Sequence, residues 1–368
     1  MTARKPDVIG GVDCHADTHE SAVLNAQGRL LATARFATTV EGYQHLLEWM
    51  SSHGHVLEVG VEGSGSYGAG LTRHLRAAGI KVVEVNRPHP HTRARRGNND
   101  AIDAEAAARK VLAGECTAVP KDTTGIVEAI RQLHLARASA VQARTAALNQ
   151  LDDLIVTAPA DVRQALTAKT LPGKAGQCAR WRPDRARLAE PAQAARTALR
   201  SIARRIHALG EKIATLDAQL STSVKRAAPK TLALLGVGPV HAAQMLITAG
   251  QNITRLRTET AFAHLCGADP IPAPSGKTER HRLNPGGDRH ANRTLYMIAI
   301  VRLRYCQRTR DYTTRRITDG KSKKEIIRCL KRYISREIYY TLVADLQNLA
   351  PATRRSIGTP WPRRPAAA

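Results

Sequence analysis

DVIGGVDC at residues 7–14, HESAVLNA at 19–26 and LLATARFAT at 30–38 follow one another with only tight turns between them. Each is short and rich in β-branched or small apolar residues, so the three predict consecutive strands. Working outward, Val40, Tyr43, Leu46, Leu47 and Met50 recur at helical spacing over 40–52. HVLEVGVEG at 55–63 alternates Val56, Glu58 and Gly60 with Leu57, Val59 and Val61, a fourth strand. A helix over 68–78, a strand KVVEVN at 81–86 and a helix over 99–113 complete the set. Three strands, then helix–strand–helix–strand–helix, is the order of an RNase H-like domain, here residues 1–120. Other mixed α/β folds share it.

Beyond this domain the patterns are helical, so the expected class is α/β followed by α. An amphipathic stripe from Ile126 to Ile155 predicts one long helix over 124–157, and a second runs over 188–223. A Gly/Pro/Arg-rich connector over 158–187 joins them. The pair predicts an antiparallel arm at 121–226, suited to dimerisation. A third region, 227–350, opens with TLALLGVGPVHAAQMLI, two helical runs hinged at Gly236-Val237-Gly238. Such a hinge resembles a helix-hairpin-helix, whose glycine turn lets backbone N–H groups approach a phosphate. A loop-rich stretch at 266–288 precedes helices at 289–306 and 322–348, and residues 351–368 read as a disordered tail.

Composition narrows the function. The chain has 368 residues, 43% of them hydrophobic, which excludes disorder as a whole. Residues 1–120 hold 13 Lys/Arg and 13 Asp/Glu, whereas 121–368 hold 43 and 18, the entire surplus of +25. A neutral first domain thus precedes a basic remainder, the electrostatic footprint of phosphate neutralisation. Aromatics at 4% count against a base-stacking single-strand binder. Six scattered cysteines without a CxxC spacing count against a zinc ribbon or a disulfide framework. The uncharged run between Lys230 and Arg255 contains Gly236, Gly238, Pro239 and His241, too polar for a bilayer helix. No signal-peptide apolar region precedes Asp7, so a cytoplasmic chain with no membrane partner is expected.

Phosphodiester chemistry needs anionic oxygen ligands for hard divalent ions. Asp13 lies late in the first strand and Glu62 ends the fourth, strands that neighbour each other in the expected sheet. Asp100 and Asp103 are three apart near a helix start and share a face. Asp17, Glu58 and Glu105 compete for the same role, Glu58 most strongly because it points with Glu62.

VDCH, VEGSGSYG and NDAIDAEAAARKVLAG, in this order, resemble the RuvC-like DEDD transposases of the one-ten family of insertion sequences. LCGADPIPAPSGKTERHRLNPGGDRHANRTLY resembles that family's C-terminal transposase domain, and GKSKKEIIRCLKRYISREIY its closing helix. The resemblance covers about residues 7–350. It implies a DNA recombinase guided by an RNA that the element encodes, assembled as a dimer or tetramer on donor and target double-stranded DNA. It further implies Asp13, Glu62, Asp100 and Asp103 as ligands of one or two Mg²⁺ ions and Ser275 as the nucleophile. Lys277, Arg289, Arg328, Lys331 and Arg332 are then expected on nucleic acid, with Asn284, Asn292 and Arg336 nearby.

Three positions depart from the family pattern: Pro274 ahead of the serine, Pro285 in LNPGGDR, and Asn98-Asn99 ahead of the third carboxylate. None removes a catalytic group. Two other readings use the same residues. A Holliday-junction resolvase-like nuclease would use the tetrad with water as nucleophile, and a non-catalytic nucleic-acid-binding protein would need no ion.

Overall fold

The computed structural model describes residues 5–86, 99–272, 281–282 and 284–349. Residues 98, 274, 275 and 277 and the expected tail at 351–368 lie outside the described residues. The chain divides into two units, Met1–Gly125 with Ala249–Arg257, and Ile126–Thr248 with Thr258–Ala368.

The first unit runs β1 (Asp7–Cys14), β2 (Thr18–Asn25), β3 (Leu30–Ala37), α1 (Val40–His53), β4 (His55–Glu62), α2 (Ala69–Ala77), β5 (Lys81–Val85) and α3 (Asp100–Leu112). One five-stranded sheet has the order β3-β2-β1-β4-β5. The hairpin-connected steps β1–β2 and β2–β3 are antiparallel, and β1–β4 and β4–β5, which cross over through helices, are parallel. Every residue of β1 after Asp7 is buried, as a central strand covered on both faces requires. Leu46, Met50, Leu71 and Leu75 of α1 and α2 pack on Val8, Val12, Val59 and Val61. On the opposite face, Ala107, Ala108 and Val111 of α3 pack on Ile9, Leu24, Val83 and Val85.

Two glycines set how deeply α3 sits. Gly11 of β1 pairs with Gly60 of β4. A Cβ on Gly11 would lie 2.2 Å from the Ala104 carbonyl oxygen and 2.3 Å from the Ala108 nitrogen. One on Gly60 would lie 2.6 Å from Val111 Cγ2. The pair leaves bare backbone on which the alanine stripe Ala104, Ala107, Ala108 rests, at a spacing no side chain allows.

This unit also contains a later piece of chain. Asn252, in the strap Ala249–Arg257, accepts from the Asp122 backbone N–H at 2.8 Å and donates to the Pro120 carbonyl at 2.9 Å.

The second unit is helical: α4 (Gly125–Thr157), α5 (Ala160–Gln164), α6 (Leu171–Arg180), α7 (Pro191–Ala227), α8 (Pro229–Leu232), α9 (Pro239–Ala249), α10 (Glu259–Leu265), α11 (Arg289–Tyr305), α12 (Gln307–Thr318) and α13 (Lys323–Leu349). A two-residue hairpin pair, β6 (Ile271–Pro272) and β7 (His281–Arg282), lies between α10 and α11. Arg137 of α4 binds Asp217 of α7, and Arg205 of α7 donates to Gln150 of α4, so the two long helices run antiparallel. The segment expected as a plain connector instead carries α5 and α6. Val162, Ala175 and Cys178 close a core with Leu151, Ile155, Leu199 and Ile206. The hinge segment has one turn, α8, before Gly236, whose φ of 85° makes the bend into α9. The α8 amides of Lys230 and Thr231 are bound by the buried Asp345 carboxylate at 3.0 and 2.9 Å. Helix α12 was not expected, since QRTRDYTTRRIT has no apolar stripe and buries only Thr309.

Candidate metal centre and basic cavity

Asp13 is next to last in β1 and Glu62 last in the adjacent parallel β4, each two residues beyond its glycine of the Gly11–Gly60 pair and hence on the α3 face. Both are buried, at 6% and 7% exposure. Seating α3 on those glycines brings its first turn, with Asp100 and Asp103, to the same corner. The Asn99 side chain caps this helix by accepting from the Ala101 N–H at 3.2 Å, so an asparagine in place of the family's basic residue has a structural use.

The side chain at the centre of the corner is one the sequence reading passed over. His15 Nε2 stands 3.1 Å from Asp13 Oδ2 and 3.5 Å from Asp100 Oδ1. The ligand atoms of Asp13, His15 and Asp100 all lie within 4.8 Å of one another. Burial pushes the Asp13 carboxyl above the usual aspartate range; His15 opposes this, while the charges of Asp103 and Asp100 add to it. The Cys14 thiol is likewise pushed far up, by burial and then by Asp13 and Glu62. Asp100 and Asp103 thus act on Asp13, and Asp13 and Glu62 both act on Cys14 at the same sheet end. An oxygen-rich donor set with one imidazole, spaced within reach of a common centre, fits a divalent cation. The rival Glu58 lies elsewhere, paired with Lys81 at 2.9 Å.

The second-unit candidates divide by burial. Arg289 and Arg328 are exposed. Arg332 is bound to Glu259 and to Asp269, and Arg336 reaches Glu259 at 3.3 Å, tying α13 to α10 and the turn after it. Asn292 donates to the Cys266 and Gly267 carbonyls at 3.1 and 2.8 Å, and Asn284 donates to the His264 carbonyl at 3.2 Å. Both asparagines therefore hold backbone. Lys331 is buried at 6% exposure, its Nζ donating to Asn292 Oδ1 at 2.7 Å. Of the basic side chains of α13 expected on nucleic acid, packing against α10 and α11 encloses Lys331 and Arg332, while Arg328 stays exposed.

A family model of the DEDD type, described as a transposase, matches residues 10–158, and the model of the transposase IS116/IS110/IS902 family matches residues 231–314. The insertion element IS900 uncharacterized 42 kDa protein of Mycobacterium paratuberculosis is 26% identical over 164 residues, 44% of this chain and 41% of that protein. The chain thus aligns with about two fifths of that relative's length. It belongs to the IS110 family of insertion-sequence transposases. All four acidic side chains of the corner and His15 lie within the first matched stretch, and Ser275 lies within the second. No helix among the described residues is long and apolar enough to cross a membrane.

Proposed function

We propose that the chain is a DNA transposase/recombinase that cuts and rejoins strands by serine attack, guided by an RNA of its element. The reading takes residues 1–120 as an RNase H-like domain, 121–226 as a dimerising arm and 227–350 as the serine-bearing domain, assembled as a homo-oligomer. The observation that supports it most is the convergence of Asp13, His15 and Asp100 within 4.8 Å at the corner to which Glu62 and Asp103 contribute their charge.

Asp13, Glu62, Asp100 and Asp103 would hold the ion, taken as Mg²⁺. Bound there, it supplies charge neutralisation for a phosphodiester. The Ser275 hydroxyl attacks phosphorus, its proton leaves, and the bond to one deoxyribose oxygen breaks, giving a phosphoserine link and a free strand hydroxyl. Attack by another strand's hydroxyl reverses the exchange and frees the serine. Lys277, Arg289 and Arg328 serve as phosphate contacts.

The test is a denaturing gel of full-length protein incubated with end-labelled element DNA, guide RNA and Mg²⁺. Wild type should yield DNA carrying covalently attached protein. Ser275→Ala should lose that product while binding DNA, and Asp13→Asn should lose it as well. Cleavage that persists in Ser275→Ala would give the chemistry to water, as in a resolvase. Indifference to both substitutions and to Mg²⁺ would leave a binding protein without catalysis.

A further inference from the structure

A cavity of about 730 Å³ opens in the second unit where the β6–β7 pair and the turn after α10 meet α13. That volume suits a nucleotide-sized group. Its lining carboxylates are already engaged. Asp269 sits 3.4 Å from Arg332 Nε, and Glu325 accepts from the Ser322 amide and hydroxyl at 2.9 and 2.7 Å. Arg316 is held by Asp319 at 3.0 Å. Lys321 and Arg328 act on Glu325, whose carboxyl they help hold down, whereas Arg282 and Lys331 have no carboxylate partner among the described residues.

Lys331 is the telling one. Its ammonium has three donors, of which one goes to the neutral Asn292 side chain, and it lies nine-tenths buried at the cavity wall. A buried charge is expensive unless an opposite charge meets it. Burial, and then the neighbouring Arg328, lower its pKa, and no carboxylate among the described residues pairs with it. A lysine that merely tied Asn292 in place could be replaced by a neutral donor at lower cost.

We propose that this cavity seats one backbone phosphate of a nucleic-acid strand, with Lys331 at the wall and Arg328 and Arg282 around the opening. The inference rests on the reading that the chain acts on nucleic acid. The surplus of +25 confined to residues 121–368 favours a polyanion over a free anion. So does the position of the cavity, lined by both residues of β7, the strand that follows Ser275 in the chain.

The experiment measures binding of the full chain to a 30-base-pair duplex across a salt series, with Lys331→Met and Arg328→Gln beside wild type. It is paired with the Tm of each protein in inorganic phosphate. Each substitution should lower the slope of log affinity against log salt, by no more than about 0.9, one phosphate's worth. Unchanged slopes in both variants would overturn the proposal and leave Lys331 a structural tie. Phosphate that raises the wild-type Tm but not that of Lys331→Met, with duplex slopes unchanged, would mark a free-anion pocket and also overturn it. If Lys331→Met fails to fold, Arg328→Gln decides, since that side chain is exposed. A wild-type chain that does not bind the duplex at all removes the underlying nucleic-acid reading, a result distinct from the others.

Discussion

Asp13 is buried late in β1 with the charges of Asp103 and Asp100 acting on it, and burial raises its pKa. A carboxyl whose pKa is higher in the folded chain than in the unfolded one costs stability wherever it is ionised in both. That cost is present at neutral pH and is relieved as pH falls through the raised native value toward the ordinary range near ~4. Metal-free Asp13→Asn should therefore melt above wild type at pH 7, with the gap closing as the pH is lowered. Each kcal/mol recovered corresponds to about 2–4 °C. Adding Mn²⁺ or Mg²⁺ should raise the Tm of wild type and leave the variant unmoved; scanning calorimetry across pH checks both. A variant no more stable than wild type without metal would show that the corner carries no such cost. Asp13 and Asp100, two of the three side chains whose ligand atoms meet at this corner, could be singled out in the sequence because a late strand position and a helix start are positional signals. His15 was not, although it stands in the quoted VDCH. Its ring turns back over Asp13 from a tight turn, closed by the His15 amide on the Thr18 carbonyl at 3.0 Å, which a linear pattern does not encode. Glu58 misled because alternation gives the face of a strand but not the partner; Lys81 sits opposite it in register.

Helix α3 shows how an element delivers a site. Its acidic first turn reaches the corner only because its alanines lie against the bare backbone of Gly11 and Gly60. Gly11→Ala should push the helix outward, costing about 1–3 kcal/mol in denaturant unfolding and weakening metal binding with it. Gly65→Ala, with nothing within 4 Å of the added methyl, should leave stability unchanged and serves as the comparison. Equal behaviour of the two variants would show that the close approach is not what positions Asp100. The strands and helices of the first unit could be read from sequence because each has a clear apolar period. The short helices α5 and α6 could not, since α5 buries only Val162 and α6 only Ala175 and Cys178, too few to mark a period. Helix α12 hid for another reason: Tyr312 and Ile317 are its only large apolar side chains, too few to mark a period.

At the scale of the whole molecule, charge and connectivity both matter. With all the surplus beyond residue 120, affinity for a DNA duplex should fall about 10³-fold or more between 50 and 200 mM salt. A nearly salt-independent affinity, measured by fluorescence anisotropy, would refute an electrostatic footprint of that size. The charge division was readable by counting. The return of Ala249–Arg257 to the first unit was not, because nothing in nine residues announces where they will pack. That strap has a consequence in time. A ribosome delivers β1 through α3 early, yet Pro120 and Asp122 meet Asn252 only after all of Ile126–Thr248 has emerged. A contact spanning that much chain forms late and slowly. Completion of the first unit is therefore timed by synthesis of the second.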